Sequence, residues 1–278
     1  MPVISPLAAI VLGSVEGVTE FLPISSTGHM ILVGQWLGLP ENDPGVKAFE
    51  VVIQSGALLA VIGIYLKHIV SMMRGLAGRN REGLNLFIQL VLACMPALVV
   101  GKLAGDWIKE HLFSTRTVLI ALVVGGVLMI GVERWRKMRA AGSAEPQSAG
   151  RPVTDMTLRL ALIVGCAQVI AMWPGTSRSM ITMIAALLLG FSPKAAAEFS
   201  FLLALPTLGA ATVYDTYKEG HAIIASAGYL GLFLGFFTSF VVAWIAVKSF
   251  LKFLTHHGME VFGWYRIALA AAVFLILQ

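Results

Sequence analysis

The stretch at residues 16–29 concentrates ionisable and hydroxyl side chains within an otherwise apolar part of the chain. It reads Glu16-Gly-Val-Thr-Glu20-Phe-Leu-Pro-Ile-Ser-Ser-Thr-Gly-His29, and no Lys or Arg occurs among the first 46 residues. An ionisable side chain at membrane depth is costly, so it usually faces a cavity or a partner. The stretch therefore predicts a functional site held within a bilayer.

Two carboxylates in this stretch have the spacing of a metal site. Glu16 and Glu20 are four residues apart, which places them on one face of a helix, one turn from each other. Together they could hold a hard divalent cation such as Mg²⁺ or Ca²⁺, which prefers oxygen ligands and often also binds a substrate phosphate. The alternative is a capping or cavity-lining pair with one carboxyl protonated. We favour the functional interpretation, because acids within a membrane usually mark a functional site.

Hydroxyl groups and an imidazole follow these carboxylates. Ser25, Ser26 and Thr27 come just after Pro23 and just before a new apolar run. Such hydroxyls are common helix N-caps, but a helix N-terminus also binds phosphate through free amides and a favourable dipole. His29 carries the side chain best suited to acid–base work near neutrality, and a serine nucleophile needs an adjacent base. Spacing alone leaves open whether Ser26 and His29 form a catalytic pair.

A second polar interruption lies 150 residues later and supplies a cation. It reads Trp173-Pro-Gly-Thr-Ser-Arg-Ser179, and Arg178 is the only basic residue within 160–193. A guanidinium forks onto phosphate oxygens and stays charged, and the glycine and hydroxyls beside it suit close approach to an anion. The alternative is an ion pair with Glu16 or Glu20 that holds the interior together. Both interpretations can apply to one site.

The composition indicates the setting in which these residues act. The chain has 278 residues, of which 58% are hydrophobic and 13% charged, whereas soluble domains are about one quarter charged. This predicts a polytopic membrane protein. The net charge of +5 comes from cations scattered between apolar runs, which suits short loops at a membrane surface rather than a nucleic-acid interface.

Hydrophobic runs predict an all-α fold built from spanning helices and two interrupted segments. A spanning helix needs about 20 mostly apolar residues, and six runs meet that length: 48–66, 84–101, 116–133, 195–214, 224–247 and 262–278. The stretches 6–38 and 157–190 are each long enough for two helices but are broken near Pro23 and Pro174. Irregular backbone at membrane depth is tolerated only inside protein or beside a wet cavity. We expect two re-entrant helix–loop–helix hairpins whose loops meet.

The interrupted segments occupy corresponding places in the two halves of the chain. Each is followed by three spanning helices, so the halves would have opposite orientation, as in an inverted repeat with a site at the midplane. We expect one membrane domain with halves 1–139 and 152–278, joined by a cytoplasmic linker at 140–151. The loops 67–83 and 248–261 carry more cations than the alternate loops, which places them in the cytoplasm by the positive-inside rule.

The two motifs together make a specific resemblance. Residues 16–29 and Pro174-Gly-Thr-Ser-Arg-Ser179, with Phe49–Gln54, Glu198–Pro206 and Tyr265-Arg266, resemble the bacitracin-resistance type of undecaprenyl-diphosphate phosphatase over essentially the whole chain. The resemblance implies hydrolysis of undecaprenyl diphosphate to the monophosphate with a divalent cation. It implies a site that opens to the periplasmic side of the bacterial inner membrane, recycling of the lipid carrier for peptidoglycan, and resistance to bacitracin.

The resemblance also implies roles for individual residues. Glu16 and Glu20 would be the metal ligands, and the catalytic residues would be Ser26, His29, Glu20 and Arg178. The substrate-binding residues would be Arg178, Ser25, Thr27, Ser177, Ser179 and Thr182. The motif departs from the family at Met180-Ile181, which leaves the role of Thr182 open.

Three questions stay open at the level of sequence. The nucleophile is Ser26, His29 or water. The rival function is a transporter or flippase of a polyprenyl phosphate lipid, because broken helices in inverted repeats also occur in transporters. The oligomeric state is a monomer or a homodimer.

Overall fold

The computed structural model describes residues 3–40, 43–140 and 149–276, and these residues form a bundle of α-helices. The first half contains α1 Pro6–Thr19, α2 Ser26–Trp36, α3 Pro44–Ile64, α4 Leu66–Leu76, α5 Arg81–Leu112 and α6 Thr115–Ala140. The second half contains α7 Leu158–Gln168, α8 Arg178–Leu188, α9 Pro193–Leu254 and α10 Glu260–Ile276, with short 3₁₀ helices at Val153–Asp155 and Val169–Met172. The predicted linker 140–151 lies largely outside the described residues.

Several helices begin with the same local device. Ser5, Asp43 and Ser192 are the N-caps of α1, α3 and α9; each side chain accepts a backbone N–H, and each is followed by a proline. A short oxygen-bearing side chain satisfies an amide that has no intrahelical acceptor. Proline suits the next position, because its missing N–H is not needed there. These caps fix where the apolar helices start.

Four helical segments are long and apolar enough to cross a membrane: Pro44–Ile64, Arg81–Ile108, Arg116–Arg139 and Ile224–Leu254. They coincide with four of the six predicted spans, which confirms an all-helical integral membrane protein. The other two predicted spans, 195–214 and 262–278, fall on α9 and α10.

The long helix α9 reverses direction and packs twice along α3. Successive contacts along α9 are Glu198 with His68 just beyond α3, Gly209 with Leu58, Ser226 with Gly45, Phe236 with Gly56, and Trp244 with Gly63. The residue numbers of these partners fall from 68 to 45 and then rise to 63, so α9 turns back near residue 226. Gly228 makes the turn with φ 64° and ψ 168°, a conformation open essentially to glycine alone. The loop predicted at 215–223 is instead helical.

Small residues allow α1 to approach the part of α9 that follows the turn closely. A Cβ atom at Gly13 of α1 would collide with the backbone oxygen of Gly235, and one at Gly17 would lie 2.7 Å from the oxygen of Ser239. Glycines at helix interfaces are typical of membrane proteins, where packing rather than water expulsion holds helices together. This contact fixes α1, which carries Glu16 and leads to Glu20, against α9.

The two predicted interruptions are present. α1 ends at Thr19 and α2 begins at Ser26; likewise α7 and its 3₁₀ extension end at Met172, and α8 begins at Arg178. We call residues 20–25 the first break and residues 173–177 the second break. The helical pairs on either side are 11 to 14 residues long, shorter than the span of a bilayer.

Candidate functional site

Each break ends in a serine with an unusual backbone conformation. Ser25 has φ 71° and Ser177 has φ 73°, and they are the only non-glycine residues with positive φ among those described. Both are N-caps: Ser25 Oγ accepts from Gly28 N, and Ser177 Oγ accepts from Met180 N. Such strained backbone costs roughly 1–3 kcal/mol and clusters at functional sites. The strain places the next residue, Ser26 or Arg178, at the first position of its helix.

Glu20 joins the two breaks through its carboxylate. Ser26 Oγ donates to Glu20 Oε2 at 2.7 Å, and Arg178 Nη2 donates to Glu20 Oε1 at 3.3 Å. Glu20 is 7% exposed, and the side chain of Arg178 is 12% exposed, so the ion pair is largely shielded from solvent. Of the two acids considered from the sequence as partners of Arg178, the structure has Glu20 in that place. The hydroxyl of Ser26, the carboxylate of Glu20 and the guanidinium of Arg178 thus meet beside the N-termini of α2 and α8.

The guanidinium of Arg178 is held in place by groups of the second half. Its Nη1 donates to the carbonyl of Ser200 at 2.9 Å, and it lies 5.8 Å from the ring centre of Phe21. Thr182 Oγ1 bonds the carbonyl of Arg178 at 2.8 Å and the hydroxyl of Ser200 at 2.7 Å. The Nε of Arg178 is buried without a hydrogen-bond partner. Thr182 therefore supports the backbone of Arg178 and is itself held by Ser200.

Ser179 ties the second break to the first. Its hydroxyl donates to the carbonyl of Leu22 at 3.0 Å and lies 3.0 Å from the hydroxyl of Ser177. Ser179 is 1% exposed, so these bonds are shielded from water. Thr27, by contrast, is exposed on the first turn of α2. Ser179 is thus placed to hold the two breaks together, whereas the side chain of Thr27 is free of such contacts among the described residues.

The structure gives His29 partners other than Ser26. Its Nδ1 lies 2.8 Å from the carbonyl of Ser25, and its Nε2 lies 2.7 Å from the hydroxyl of Tyr265. Since a carbonyl only accepts, Nδ1 carries the proton and Tyr265 donates to Nε2 in the neutral ring. The hydroxyl of Ser26 donates to Glu20 and not to His29, so the open question of a Ser26–His29 pair is not answered by a direct hydrogen bond between them.

Arg266 belongs to the site, although motif spacing in the sequence predicts no role for it. It is fully buried, and its guanidinium donates to the carbonyls of Pro23 and Gly175, one in each break. It also donates to Ala121 and Leu122 of α6. The available signal was its position as the only charged residue within 261–278, because a lone cation in an apolar helix calls for a functional explanation.

Glu16 faces the same interior as Glu20. It is 3% exposed, its Oε1 has no hydrogen-bond partner, and its acidic neighbours are Glu20 and Glu50. A buried carboxylate oxygen without a donor suits a hard cation. No cluster of three or more acidic, His or Cys side chains with metal-binding geometry occurs among the described residues. Glu16 and Glu20 are thus the two carboxylates of the site that could contribute to holding a cation.

The fold and the site define a class of protein: a helical integral membrane protein in which two broken helices bring a hydroxyl, carboxylates and a guanidinium together. That set of groups is suited to binding and cleaving a phosphate ester or anhydride. The profile of the family described as "Bacitracin resistance protein BacA" matches residues 9–272. The chain belongs to this family.

Individual relatives agree with the family match. The chain is 47% identical to an undecaprenyl-diphosphatase of Sorangium cellulosum, over 95% of this chain and 84% of that protein. It is 46% identical to an undecaprenyl-diphosphatase of Methylococcus capsulatus, over 96% and 93%. It is 41% identical to undecaprenyl-diphosphatase 3 of Acinetobacter baylyi, over 99% and 98%. The similarity thus extends through both breaks.

Proposed function

We propose that this protein is a membrane phosphatase that hydrolyses undecaprenyl diphosphate to undecaprenyl phosphate and inorganic phosphate. The observation that carries the proposal is the Glu20 carboxylate, which holds the hydroxyl of Ser26 on one oxygen and the guanidinium of Arg178 on the other. The names of the relatives give the substrate class. By this activity the protein recycles the lipid carrier for peptidoglycan and confers resistance to bacitracin.

Ser26 is the proposed nucleophile and Glu20 its base. The Ser26 hydroxyl already donates to Glu20, so its proton passes to that carboxylate as Oγ forms a bond to the terminal phosphorus. The bridging phosphorus–oxygen bond breaks, and the electron pair leaves on undecaprenyl phosphate. Water then attacks the phosphoserine, and inorganic phosphate departs with Ser26 restored. Because phosphoryl transfer depends mainly on positioning and charge stabilisation, the shielded surroundings of Glu20 favour this arrangement.

Arg178 and the helix N-termini neutralise the phosphate. The pair with Glu20 keeps Arg178 in place before substrate arrives, and the first-turn amides of α2 and α8 can donate to phosphate oxygens. In the second step the water passes its proton to the hydroxyl of Tyr265, which passes its own proton to Nε2 of His29. Attack by His29 and direct attack by water are the alternatives that a search for the phosphorylated residue separates.

A divalent cation would be held by Glu16 and Glu20, with substrate oxygens as further ligands, and would supply positive charge to the diphosphate. The unpartnered Oε1 of Glu16 supports this assignment. Mg²⁺ and Ca²⁺ both fit oxygen donors. The residues of the chain perform the proton transfers whichever ion is present.

An apolar groove next to the first break is the proposed site for the prenyl tail. The groove has a volume of about 430 Å³ and is lined by Val18, Leu22, Ile245, Phe250 and Phe262, among others. Leu22 lines it with its side chain, and its carbonyl accepts from Ser179 of the second break. The groove therefore starts beside the phosphate-binding groups, as an amphiphilic substrate requires.

The proposed setting is the bacterial inner membrane, with each half built from a re-entrant hairpin and three spanning helices. The opposite orientation of the two halves brings the two breaks together at the midplane. The charge bias of the loops supports a site that opens to the periplasmic side. Residues 1–139 and 152–278 are the halves of this proposed inverted repeat.

Phosphate release by the purified protein tests the function directly. In detergent with Mg²⁺ or Ca²⁺, we expect inorganic phosphate from undecaprenyl diphosphate with wild type and none above background with Ser26→Ala. Ser14→Ala is the matched control, since Ser14 is a hydroxyl of α1 that bonds only the carbonyl of Ile10. Absence of release from wild type with every divalent ion would overturn the proposal and favour a flippase. Lipid movement across vesicles would then be measured.

A further inference from the structure

Arg266 lies between the two breaks and bonds corresponding carbonyls in each. Its Nη2 donates to the carbonyl of Gly175 at 2.8 Å, and its Nη1 lies 3.5 Å from the carbonyl of Pro23. Pro23 precedes Ser25 by two residues, and Gly175 precedes Ser177 by two residues. One guanidinium thus contacts equivalent points of both breaks, each just before the residue with positive φ.

The remaining contacts of Arg266 fix the guanidinium to the scaffold. Its Nη2 also donates to Ala121 at 3.0 Å, and its Nε lies 3.4 Å from the carbonyl of Leu122, both on α6. Its partners among the described residues are these four carbonyl oxygens. A buried cation is costly to desolvate even when it is bonded, so a role in helix packing alone would be better served by an apolar side chain. The buried positive charge therefore indicates a role at the two breaks, which Arg266 contacts.

The neighbouring helix makes room for this side chain. A Cβ atom at Gly125 of α6 would collide with Nη2 of Arg266 and lie 2.9 Å from its Cζ. A Cβ atom at Gly131, six residues further along α6, would have nothing within 4 Å of it. The two glycines therefore provide a matched pair, because alanine at one displaces the guanidinium and alanine at the other does not.

We propose that Arg266 is a positioning residue that holds the two breaks in register, so that Ser26 and Arg178 meet on Glu20. The guanidinium acts through the backbone of the breaks and does not touch the substrate. Lysine cannot make the same contacts, because one ammonium group cannot reach carbonyls that lie on three sides of the planar guanidinium. The inference rests on the proposed function only for its kinetic readout.

The distance between the breaks provides a readout that does not depend on catalysis. Spin labels at Val18 and Ile170, which are exposed on the helices that lead into the two breaks, would be attached in a Cys94→Ala, Cys166→Ala background and measured by pulsed electron resonance. We expect a wider distance distribution in Gly125→Ala and in Arg266→Lys, and an unchanged one in Gly131→Ala. Unchanged distributions in both test variants, or equal broadening in the control, would overturn the proposal.

Turnover of the variants with Val18 and Ile170 left unlabelled and native completes the test. We expect kcat to fall about 10²-fold in Gly125→Ala and Arg266→Lys, because small misplacements of reacting groups cost that much. KM should change little, since the groove for the tail is intact, and Gly131→Ala should retain kcat. If Arg266→Lys does not fold in detergent, the result for Gly125→Ala alone decides whether Arg266 has the positioning role. Absence of hydrolysis in wild type with broadening in the variants would reject the proposed function and leave the positioning role standing.

Discussion

Glu20 is the residue on which the site depends, because it has two partners from different halves of the chain. One oxygen accepts from Ser26 and the other from Arg178. In the proposed mechanism this carboxylate is both the base for Ser26 and the charge partner of Arg178. Glu16 has no such partners for its Oε1, so the two acids of one helix face have different chemical roles.

Glu20→Gln should separate these roles. The amide keeps the size of the side chain but cannot take the proton of Ser26 or balance Arg178, so we expect kcat to fall about 10²–10⁴-fold, the usual contribution of a general base. Initial rates of phosphate release at saturating lipid would measure it. Glu82→Gln, on an acid in the first turn of α5, is the control. A loss of less than threefold would assign the base elsewhere.

Tyr265 should matter through His29. Removing the hydroxyl in Tyr265→Phe frees Nε2 of His29 from its only described side-chain partner, so we expect kcat/KM to fall about tenfold, as for the loss of one hydrogen bond worth about 1.4 kcal/mol. The melting temperature should hardly change, because the ring remains. Tyr229→Phe, on a tyrosine that is 77% exposed, is the control. Equal rates for the two variants would show that the His29–Tyr265 contact is dispensable.

At the scale of elements, the breaks do the positioning and the helices around them supply the rest. Ser25 and Ser177 start α2 and α8 from strained backbone, and α10 reaches both breaks through Arg266. The groove beside the first break belongs to α1, α9 and α10. Polar chemistry and apolar recognition are thus carried by adjoining surfaces of the same helices.

Filling the groove should affect long substrates only. Ala246 lines the groove, so Ala246→Trp should raise KM for undecaprenyl diphosphate several-fold while leaving farnesyl diphosphate, with a much shorter tail, unaffected. The cost reflects lost burial of tail methylenes, each worth about 0.8 kcal/mol. Ala271→Trp, on an exposed face of α10, should change neither. Equal effects on both substrates would place the tail elsewhere.

At the scale of the whole molecule, α5 fixes the relation between two loops. It has 32 residues and is therefore about 48 Å long at 1.5 Å per residue, more than the roughly 30 Å of a hydrocarbon core. A helix of this length would place the loops at its ends on opposite sides of a membrane. We propose, from the positive-inside rule, that the end near Arg79 is cytoplasmic and the end near Ser114 periplasmic.

Cysteine labelling in intact cells tests that orientation. In a Cys94→Ala, Cys166→Ala background, a membrane-impermeant maleimide should react with Ser114→Cys and not with Arg79→Cys until the cells are opened. Both positions are exposed, so accessibility to solvent is matched. Labelling of the Arg79 position from outside would reverse the proposed topology, and the site would then open to the cytoplasm.

The sequence predicted the features that depend on local composition. The apolar runs around α3, α5 and α6 and the breaks near Pro23 and Pro174 follow from hydropathy and from the missing amide of proline. The Arg178–Glu20 pair was also predictable, because a buried cation needs an acid and few acids were available.

The features that escaped prediction depend on tertiary geometry. Motif spacing left a Ser26–His29 pair open, and it does not reveal that the hydroxyl of Ser26 bonds Glu20 while His29 bonds Tyr265, 236 positions away. The contacts of Arg266 join residues up to 243 positions apart, which no periodicity reveals. The reversal at Gly228 was displaced from the predicted loop at 215–223, because polar residues there continue the helix until a glycine permits the turn.

The most direct test of the central claim is to locate the phosphoryl group during turnover. Wild-type protein mixed with undecaprenyl diphosphate labelled in its terminal phosphate would be quenched in sodium dodecyl sulfate at neutral pH, which preserves both phosphoserine and phosphohistidine, within milliseconds to seconds and digested for mass spectrometry. We expect a phosphorylated Ser26 whose amount rises before free phosphate appears, and no such species in Ser26→Ala. A label on His29, or full turnover by Ser26→Ala without any covalent label, would contradict it.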